Sequence, residues 1–282
     1  MAENDDYINQ FKPLNQTDSP MSFLTHIDVL RKHILRAALV IAVFAIVVFA
    51  NINTIFDTVI LSPQSKEFIT YKAICSIQNY ISWLSGNLCS QTVSFSIINT
   101  DLTGQFMKHI TVSLWLGLVV AMPYILFEVW LFVSPALLQK EKRYARGLVF
   151  YASILFFLGI GFGYFVLSPL SIVFLGNYQV SEKIANMISL DSYISTLTTL
   201  TFASGLIFEM PMIAYFLAKV GLIDAIFLRE YRRYAIVVNM ILAAIITPSD
   251  VLSMLLMTIP LLLLYEVSIK VIANVEKNTI SE

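Results

Sequence analysis

The chain has 282 residues, of which 57% are hydrophobic and 13% charged, and its mean hydropathy is +0.76. Soluble domains carry about twice that charged fraction, so the composition excludes an ordinary soluble protein. A polytopic membrane protein confines its charges to the ends of its apolar spans, and the charges of this chain are distributed in that way. The net charge of −1 is therefore less informative than the positions of the charges.

The first 19 residues are predicted to be a disordered tail, because they are polar and acidic and show no hydrophobic period. A cleavable signal peptide is not expected, since acidic rather than basic residues precede the first apolar run. Residues 20–35 are predicted to form an amphipathic helix at the membrane surface, with apolar residues at helical spacing. Ser19 and Pro20 are typical of the start of such a helix.

Long apolar runs predict an all-α protein with six transmembrane helices. The expected spans are about 36–54, 107–130, 146–167, 192–218, 233–247 and 251–270. Ser168-Pro169 is expected to stop the third span, and Met210-Pro211 to kink the fourth. The last two spans are short and closely linked, which predicts a tight helical hairpin.

These spans predict a single membrane domain over residues 20–272, with an external loop over 55–106 and a short tail over 273–282. Of the 18 lysines and arginines, fourteen fall on the side of the membrane that holds both chain termini. The other four are Lys66, Lys72, Lys108 and Lys183. The positive-inside rule therefore predicts cytoplasmic N- and C-termini and a cytoplasmic C-terminal tail.

Both cysteines, Cys75 and Cys89, lie in the predicted external loop. Two interpretations stay open, a disulfide that closes a 15-residue ring in an oxidising compartment, or two unpaired small apolar side chains.

No motif for hydrolysis, phosphoryl transfer or dinucleotide binding is present, so an enzyme is not expected, and no cofactor is implied. His26 and His33 are seven residues apart and His109 falls on the other side of the membrane, which leaves any metal site without enough ligands. We interpret these histidines as interfacial residues.

Acidic residues inside the spans need a physical reason. Glu209 lies ten residues before Lys219, roughly 15 Å from that end of its span and close to the middle of the bilayer. It is either a functional group or a protonated side chain hydrogen-bonded inside the bundle. Glu128 and Glu266 lie near span ends, where snorkelling or pairing with basic loops would explain them.

Four segments in order resemble the TatC family of the twin-arginine protein translocase. They are FLTHIDVLRKHILR before span one, MPYILFEVWLFVSPALLQKEKR after span two, IFEMP in span four and ITPSDVLSM between spans five and six. The resemblance extends from about residue 22 to 272. It implies a cupped six-helix bundle in the bacterial cytoplasmic (inner) membrane.

The resemblance also implies a function. TatC-family proteins are receptors for folded precursors whose signal peptides carry paired arginines, and they assemble with single-span subunits of the TatA and TatB type. This chain is therefore expected to act in export driven by the proton motive force, within a complex that holds several copies of it, and without nucleic acid. The alternative from the residues themselves is a proton-coupled transporter of small solutes that uses Glu209.

The resemblance places signal-peptide recognition at Glu141 and Phe132 in the loop after span two, and at Arg31 in the N-terminal motif. Carboxylates suit this task because they form directional, charge-assisted hydrogen bonds with guanidinium groups. The family's second recognition acid corresponds to Val29. Asp28, one residue earlier and about 100° round the helix, is predicted to replace it at least partly.

Glu209 matches a family glutamate that docks a polar residue of a partner helix. Asp250, which is also expected to cap the start of span six, and Met254 are assigned to the same docking function by their positions in the ITPSDVLSM segment. Structural roles fall to four prolines, namely Pro63, Pro123, Pro135 and Pro248.

Overall fold

The computed structural model of the chain describes residues 23–65, 67–80, 95–133, 145–181, 183–184, 186–247 and 250–280. The predicted tail at residues 1–19 lies outside these ranges. The elements in chain order are α1 (Phe23–Ala50), α2 (Ile52–Ile55), α3 (Ile69–Tyr80), β1 (Ser96–Ile98), α4 (Gly104–Val133), α5 (Ala145–Phe162), α6 (Ser168–Asn177), β2 (Met187–Ser189), α7 (Leu190–Phe208), α8 (Met210–Lys219), α9 (Ala225–Glu230), α10 (Arg232–Ile246) and α11 (Val251–Ile280).

Five helical stretches in the described part of the chain are long and apolar enough to cross a membrane. They cover 27–50, 104–133, 147–177, 190–219 and 251–274. The predicted fifth span corresponds to α10, which has 15 residues and is therefore about 22 Å long. A full crossing needs about 20 residues, so the count of six spans stays a prediction.

The predicted surface helix and the first span form one continuous helix, α1. Its apolar side chains Leu39, Val43 and Ile46 are at least half exposed, which suits a helix surrounded by lipid. Its main partner is α4, with which it packs more extensively than with any other element among the described residues. A Cβ at Gly117 of α4 would lie 2.7 Å from the backbone nitrogen of Ala45, so the two backbones approach closely there.

The prediction that Ser168-Pro169 stops the third span is wrong. After α5 the chain makes a π-helical turn at Gly163–Leu167 and continues as α6 to Asn177. Pro169 is tolerated because it lies in the first turn of α6, where its missing N–H removes no helical hydrogen bond. The carbonyl oxygen of Gly163 accepts the backbone N–H of Ser168 that closes the turn, and the hydroxyl of Ser168 donates to the same oxygen at 2.8 Å.

The fourth span is broken at Glu209, as the Met210-Pro211 pair predicted. Glu209 ends α7, and Pro211 lies in the first turn of α8. Because Pro211 has no N–H, the regular helical hydrogen-bond ladder cannot pass through it. The break redirects the chain, since α7 packs mainly on α5 and α8 packs mainly on α11.

Small residues let α5 and α7 pack closely. A Cβ on Gly159 would lie 2.5 Å from the carbonyl oxygen of Ser204, and one on Gly163 would lie 2.7 Å from the Cα of Thr201. The four-residue spacing of Gly159 and Gly163 is the arrangement through which membrane helices bring their backbones together. A Cβ on Gly161, which lies between them, would have no neighbouring atom within 4 Å.

The predicted external loop is folded against the bundle. β1 pairs in parallel with β2, with Ile97 opposite Ile188. A second π-helical turn, Phe56–Ile60, leaves backbone carbonyls available, and two tyrosines donate hydrogen bonds to them. Tyr164 binds the oxygen of Val59 at 2.6 Å, and Tyr193 binds that of Ile60 at 2.7 Å.

The last two long helices, α10 and α11, pack on each other as the hairpin prediction requires. The apolar stretch of α11 that could cross a membrane covers 251–274, and the helix itself continues to Ile280, so the predicted end of span six near residue 270 stays a prediction. Most of the segment 273–282, predicted as a tail, is therefore helical. On the exposed surface, Arg232 at the start of α10 donates to Glu266 of α11 at 2.9 Å.

Candidate functional site

A buried polar cluster joins α1 to α4 near the start of α1 and the end of α4. We call this side of the bundle, where Phe23 and Val133 lie, the terminal face, and the side that carries β1 and β2 the loop face. Glu128 is only 3% exposed. Its Oε2 pairs with Nδ1 of His33, and its Oε1 accepts a hydrogen bond from the hydroxyl of Tyr124 at 2.5 Å.

The expectation that Glu128 snorkels is therefore wrong, because the side chain is buried, whereas pairing with a basic loop, the other explanation, stays a prediction. Its partners are His33 on the neighbouring helix and Tyr124 one turn earlier on its own helix. Arg36, on the next turn of α1 after His33, adds a favourable charge interaction. A buried carboxylate is expensive unless hydrogen-bonded, and this cluster supplies partners for both oxygens without exposing the group.

The contacts between α1 and α4 fix which residues lie at the same level. His33 meets Glu128 at the terminal face, and His109 stacks on Phe49 near the loop face with ring centroids 3.9 Å apart. Moving one turn from His33 towards the start of α1, and one turn from Glu128 towards the end of α4, brings Val29 level with Phe132.

This register locates the residues predicted to recognise a signal peptide. Phe132 contacts His33 edge to face, with ring centroids 6.2 Å apart and an angle of 68° between the ring planes. Val29 is half-buried, whereas its neighbours Asp28 and Arg31 are exposed. Asp28 is therefore available to a ligand but lies on a different side of α1 from the position at the level of Phe132.

The other predicted recognition acid, Glu141, lies outside the described residues, as does Pro135. Both follow α4 in the sequence, and Phe132 lies one residue before the end of α4. The roles predicted for Glu141, Asp28 and Arg31 remain predictions.

A second candidate site is an apolar groove around the break at Glu209. Its volume is about 400 Å³. Side chains from four helices, together with Glu209 at the break, line the groove. They are Met122, Leu126, Val129, Trp130 and Val133 of α4, Leu148, Val149 and Ala152 of α5, Leu206 of α7, and Met212, Ile213, Tyr215 and Phe216 of α8.

Two buried polar atoms in this groove lack partners. Glu209 is 6% exposed, and neither its Oε1 nor Nε1 of Trp130 has a hydrogen-bond partner in the described part of the chain. An acceptor and a donor left unsatisfied are costly in an apolar setting. The groove can therefore hold an apolar segment that brings a polar group to Glu209, the residue at which the sequence predicted partner docking.

The other residues assigned to docking lie at the start of α11. Oδ2 of Asp250 accepts a hydrogen bond from the backbone N–H of Ser253 at 2.7 Å, so Asp250 caps the helix as predicted. Its buried Oδ1 has no partner within the described ranges. Met254 packs against a buried cluster that includes Leu167 and Leu261. Their role in docking remains a prediction.

The predicted structural prolines have different surroundings. Pro63 is buried in a 3₁₀ turn, and its carbonyl oxygen accepts a hydrogen bond from the hydroxyl of Tyr71 at 2.7 Å. Burial raises the pKa of Tyr71, which keeps this phenol protonated as a donor. Pro123 lies inside α4, and Pro248 falls outside the described residues.

Cys75, in α3, is disulfide-bonded. Cys89 lies outside the described residues, so the predicted pairing of the two stays a prediction. The described residues hold no group of three or more His, Cys, Asp or Glu side chains placed to bind a metal ion.

Long apolar helices, a span broken at a buried acid and a folded loop on one face define a multi-pass helical membrane protein. Residues 25–260 match the family described as Sec-independent protein translocase protein (TatC). The TatC protein of a Blattabacterium from Periplaneta americana is 34% identical over 257 residues, which cover 91% of this chain and 97% of that protein. TatCy of Bacillus subtilis is 32% identical over 249 residues, covering 88% of this chain and 87% of the relative.

Solved structures agree with these relatives. A crystal structure described as the twin-arginine translocase receptor TatC is 32% identical, with a TM-score of 0.66 over 87% of this chain and 97% of its own. A second structure of this receptor, in DDM, gives a TM-score of 0.68 at 31% identity over 88% and 99% of the respective chains. The chain belongs to the TatC family, as the sequence predicted, and is a protein-transport subunit of the twin-arginine translocase.

Sequence reasoning missed His33 and Tyr124 as partners of Glu128, and Trp130 as a polar member of the groove. A signal for the first was present, because His33 and Glu128 lie near the same end of two consecutive, antiparallel spans. Nothing in the sequence indicated that Trp130 and Glu209 would line one groove, since they are 79 residues apart.

Proposed function

We propose that this chain is the receptor and scaffold subunit of a twin-arginine translocase in a bacterial inner membrane. It spans the membrane six times, with α10 as the short fifth span and both termini in the cytoplasm. It binds the signal peptides of folded precursors at the terminal face, and it recruits TatA- and TatB-type subunits within a complex that holds several copies of the chain. The observation that carries this proposal is the family match over residues 25–260.

The orientation is supported by the basic and aromatic residues at the start of α10, and a membrane location for α10 by its exposed apolar side chains. Arg229, Arg232 and Arg233 lie in α9 and at the start of α10, next to the exposed rings of Tyr231 and Tyr234. Basic and aromatic side chains at one end of an apolar helix are typical of a cytoplasmic membrane interface. The exposed side chains of α10 are largely apolar, which fits a helix in contact with lipid.

The signal-peptide site is proposed at the terminal end of α1 and α4. Phe132 supplies an aromatic surface, and the exposed Asp28 supplies a carboxylate from α1. Glu141, which follows α4 in the sequence, supplies the second carboxylate. Two arginines would then meet two carboxylates, and each guanidinium would form charge-assisted hydrogen bonds.

The partner site is proposed at the groove around Glu209. An apolar single-span helix fits a groove lined mainly by aliphatic and aromatic side chains. A polar side chain on that helix would pair with the buried carboxylate of Glu209, which the chain's own described residues leave with an unsatisfied oxygen. This contact would give the docked helix both its position and its depth in the membrane.

Crosslinking of a twin-arginine signal peptide to the full chain, assembled with its partner subunits, tests the recognition site. Glu141→Ala should lower the affinity about 10-fold or more, because it removes a charge-assisted hydrogen bond of about 1.5–3 kcal/mol. Asp28→Ala should weaken binding less, because Asp28 lies away from the level of Phe132. Glu230→Ala, an exposed acid on α9, is the matched control and should change nothing.

Unchanged crosslinking in Glu141→Ala would remove this residue from the site. A wild-type chain that crosslinks a twin-lysine peptide as well as a twin-arginine peptide would contradict the receptor function itself. The alternative of a proton-coupled solute carrier predicts pH-dependent solute flux by the purified chain alone, with loss of that flux in Glu209→Gln. The receptor predicts no flux in either protein.

A further inference from the structure

We propose that His33 and Glu128 are a positioning pair for signal-peptide binding, in which the carboxylate holds the imidazole against the ring of Phe132. The inference rests on the proposed function, because Phe132 is the aromatic surface assigned to the signal peptide. Neither His33 nor Glu128 needs to touch the peptide. They act through the ring that does.

Glu128 is a fixed anchor for the imidazole. It is almost completely buried, and its two oxygens have separate partners, Nδ1 of His33 and the hydroxyl of Tyr124. A carboxylate bonded at both oxygens in a packed interior has little freedom to rotate. The orientation of the His33 ring is therefore set by a residue on the neighbouring helix rather than by α1 alone.

The His33 ring in turn borders Phe132. The edge-to-face contact, with centroids 6.2 Å apart, is one of the favoured geometries for two rings. Phe132 is half-buried and lies one residue before the end of α4. The imidazole of His33 is therefore a fixed neighbour on α1 that bears on the direction in which the Phe132 ring points.

Holding α1 and α4 together does not require this pair. The two helices already meet through the close approach of Gly117 and Ala45, and near the loop face through His109. Nε2 of His109 lies 3.1 Å from the carbonyl oxygen of Phe49, on whose ring the imidazole also stacks. A buried polar pair is weak evidence for net stability, and in some proteins such a pair fixes one geometry.

His109 provides a matched control, because it too is a histidine that bonds and stacks across α1 and α4. His33→Gln keeps a donor for Glu128 but removes the ring beside Phe132. His109→Gln keeps a donor for the Phe49 carbonyl but removes the other ring. A third variant exchanges the pair, His33→Glu with Glu128→His, which retains a bond between the helices and moves the imidazole to α4.

Transport of a twin-arginine precursor into membrane vesicles that contain the full complex measures each variant. His33→Gln and the exchange variant should raise the half-saturating precursor concentration about 3- to 10-fold, the range expected for loss of one ring contact. The maximal rate and the amount of assembled complex should stay within about twofold of wild type. His109→Gln should leave the half-saturating concentration unchanged.

Four results would overturn the positioning pair. In the first, His33→Gln has the same half-saturating precursor concentration as wild type. In the second, both glutamine variants raise this concentration equally. In the third, the exchange variant has the wild-type value. A loss of assembled complex with normal half-saturation would assign the pair a purely structural role and would overturn it as well. A wild-type complex that fails to bind any twin-arginine peptide would refute the proposed function and, with it, the positioning pair. Normal wild-type binding together with an unaltered half-saturating concentration in His33→Gln would refute the positioning pair alone.

Discussion

Gly159→Ala should destabilise the bundle, whereas Gly161→Ala, two residues further along the same helix, should not. A Cβ at position 159 would lie 2.5 Å from the carbonyl oxygen of Ser204 and 2.8 Å from the Cα of Gly205. Both are backbone atoms of α7, which cannot move aside as a flexible side chain can. To reach ordinary van der Waals distance, about 3.4 Å, α5 and α7 must separate locally by roughly 1 Å.

The expected magnitude follows from two opposing effects. Overpacking of this kind costs about 1–3 kcal/mol, and alanine offsets up to about 1 kcal/mol of it through its better helix propensity. With the full offset, Gly159→Ala should therefore lose up to about 2 kcal/mol of unfolding free energy. Gly161→Ala has only the propensity gain, because its Cβ would meet no atom within 4 Å.

Unfolding of the purified chain in detergent, by heat or by a denaturing detergent, measures the difference. The two variants should differ by about 1–3 kcal/mol, the cost of overpacking, because both gain the same helix propensity. Gly159→Ala should also reduce recovery of a partner subunit, because the displaced α7 leads directly to Glu209. The new Cβ at position 159 would also contact Phe208, the residue before Glu209. Equal midpoints for the two variants would show that the close approach of α5 and α7 is not a determinant of stability.

Two further predictions concern the proposed sites. Val29→Glu should tighten binding of a twin-arginine peptide about three- to tenfold, because it adds a carboxylate at the level of Phe132. Binding of a twin-lysine peptide should tighten much less. An unchanged affinity in the crosslinking assay would show that no arginine reaches this level. Glu209→Leu should leave the unfolding midpoint equal or higher, because it removes a buried oxygen without a partner, while recovery of a copurified single-span subunit falls about threefold or more. A lower midpoint with normal recovery would contradict the docking role.

Hydropathy was sufficient to place the long helices, because apolar length is a local property of the sequence. It failed where a local break signal was overridden by context. Ser168-Pro169 ends a helix in most settings, but here a π-helical turn before it and the bond from Ser168 to Gly163 let the helical path continue. Such a turn has no sequence signature that distinguishes it from a helix end.

Contacts between distant segments were harder to predict. The three-residue strands β1 and β2 pair although about 90 residues separate them, and neither has a periodic pattern long enough to identify it. The Glu128 cluster is intermediate, since the level of each residue along its span follows from the sequence but the rotation of each helix does not. Which face of α1 meets α4 depends on the close packing at Gly117, and that packing is a property of the assembled pair.

The two acids buried inside the spans differ in what their removal would leave behind. Replacing Glu128 would leave the imidazole of His33 and the hydroxyl of Tyr124 without their acceptor, so this acid is part of the internal hydrogen bonding of one helix pair. Oε1 of Glu209 has no hydrogen-bond partner among the described residues. Replacing Glu209 would therefore deprive no described side chain of a hydrogen bond to that oxygen. An acid kept in an apolar groove, with no partner for that oxygen among the described residues, fits the proposed docking of a polar group from another polypeptide.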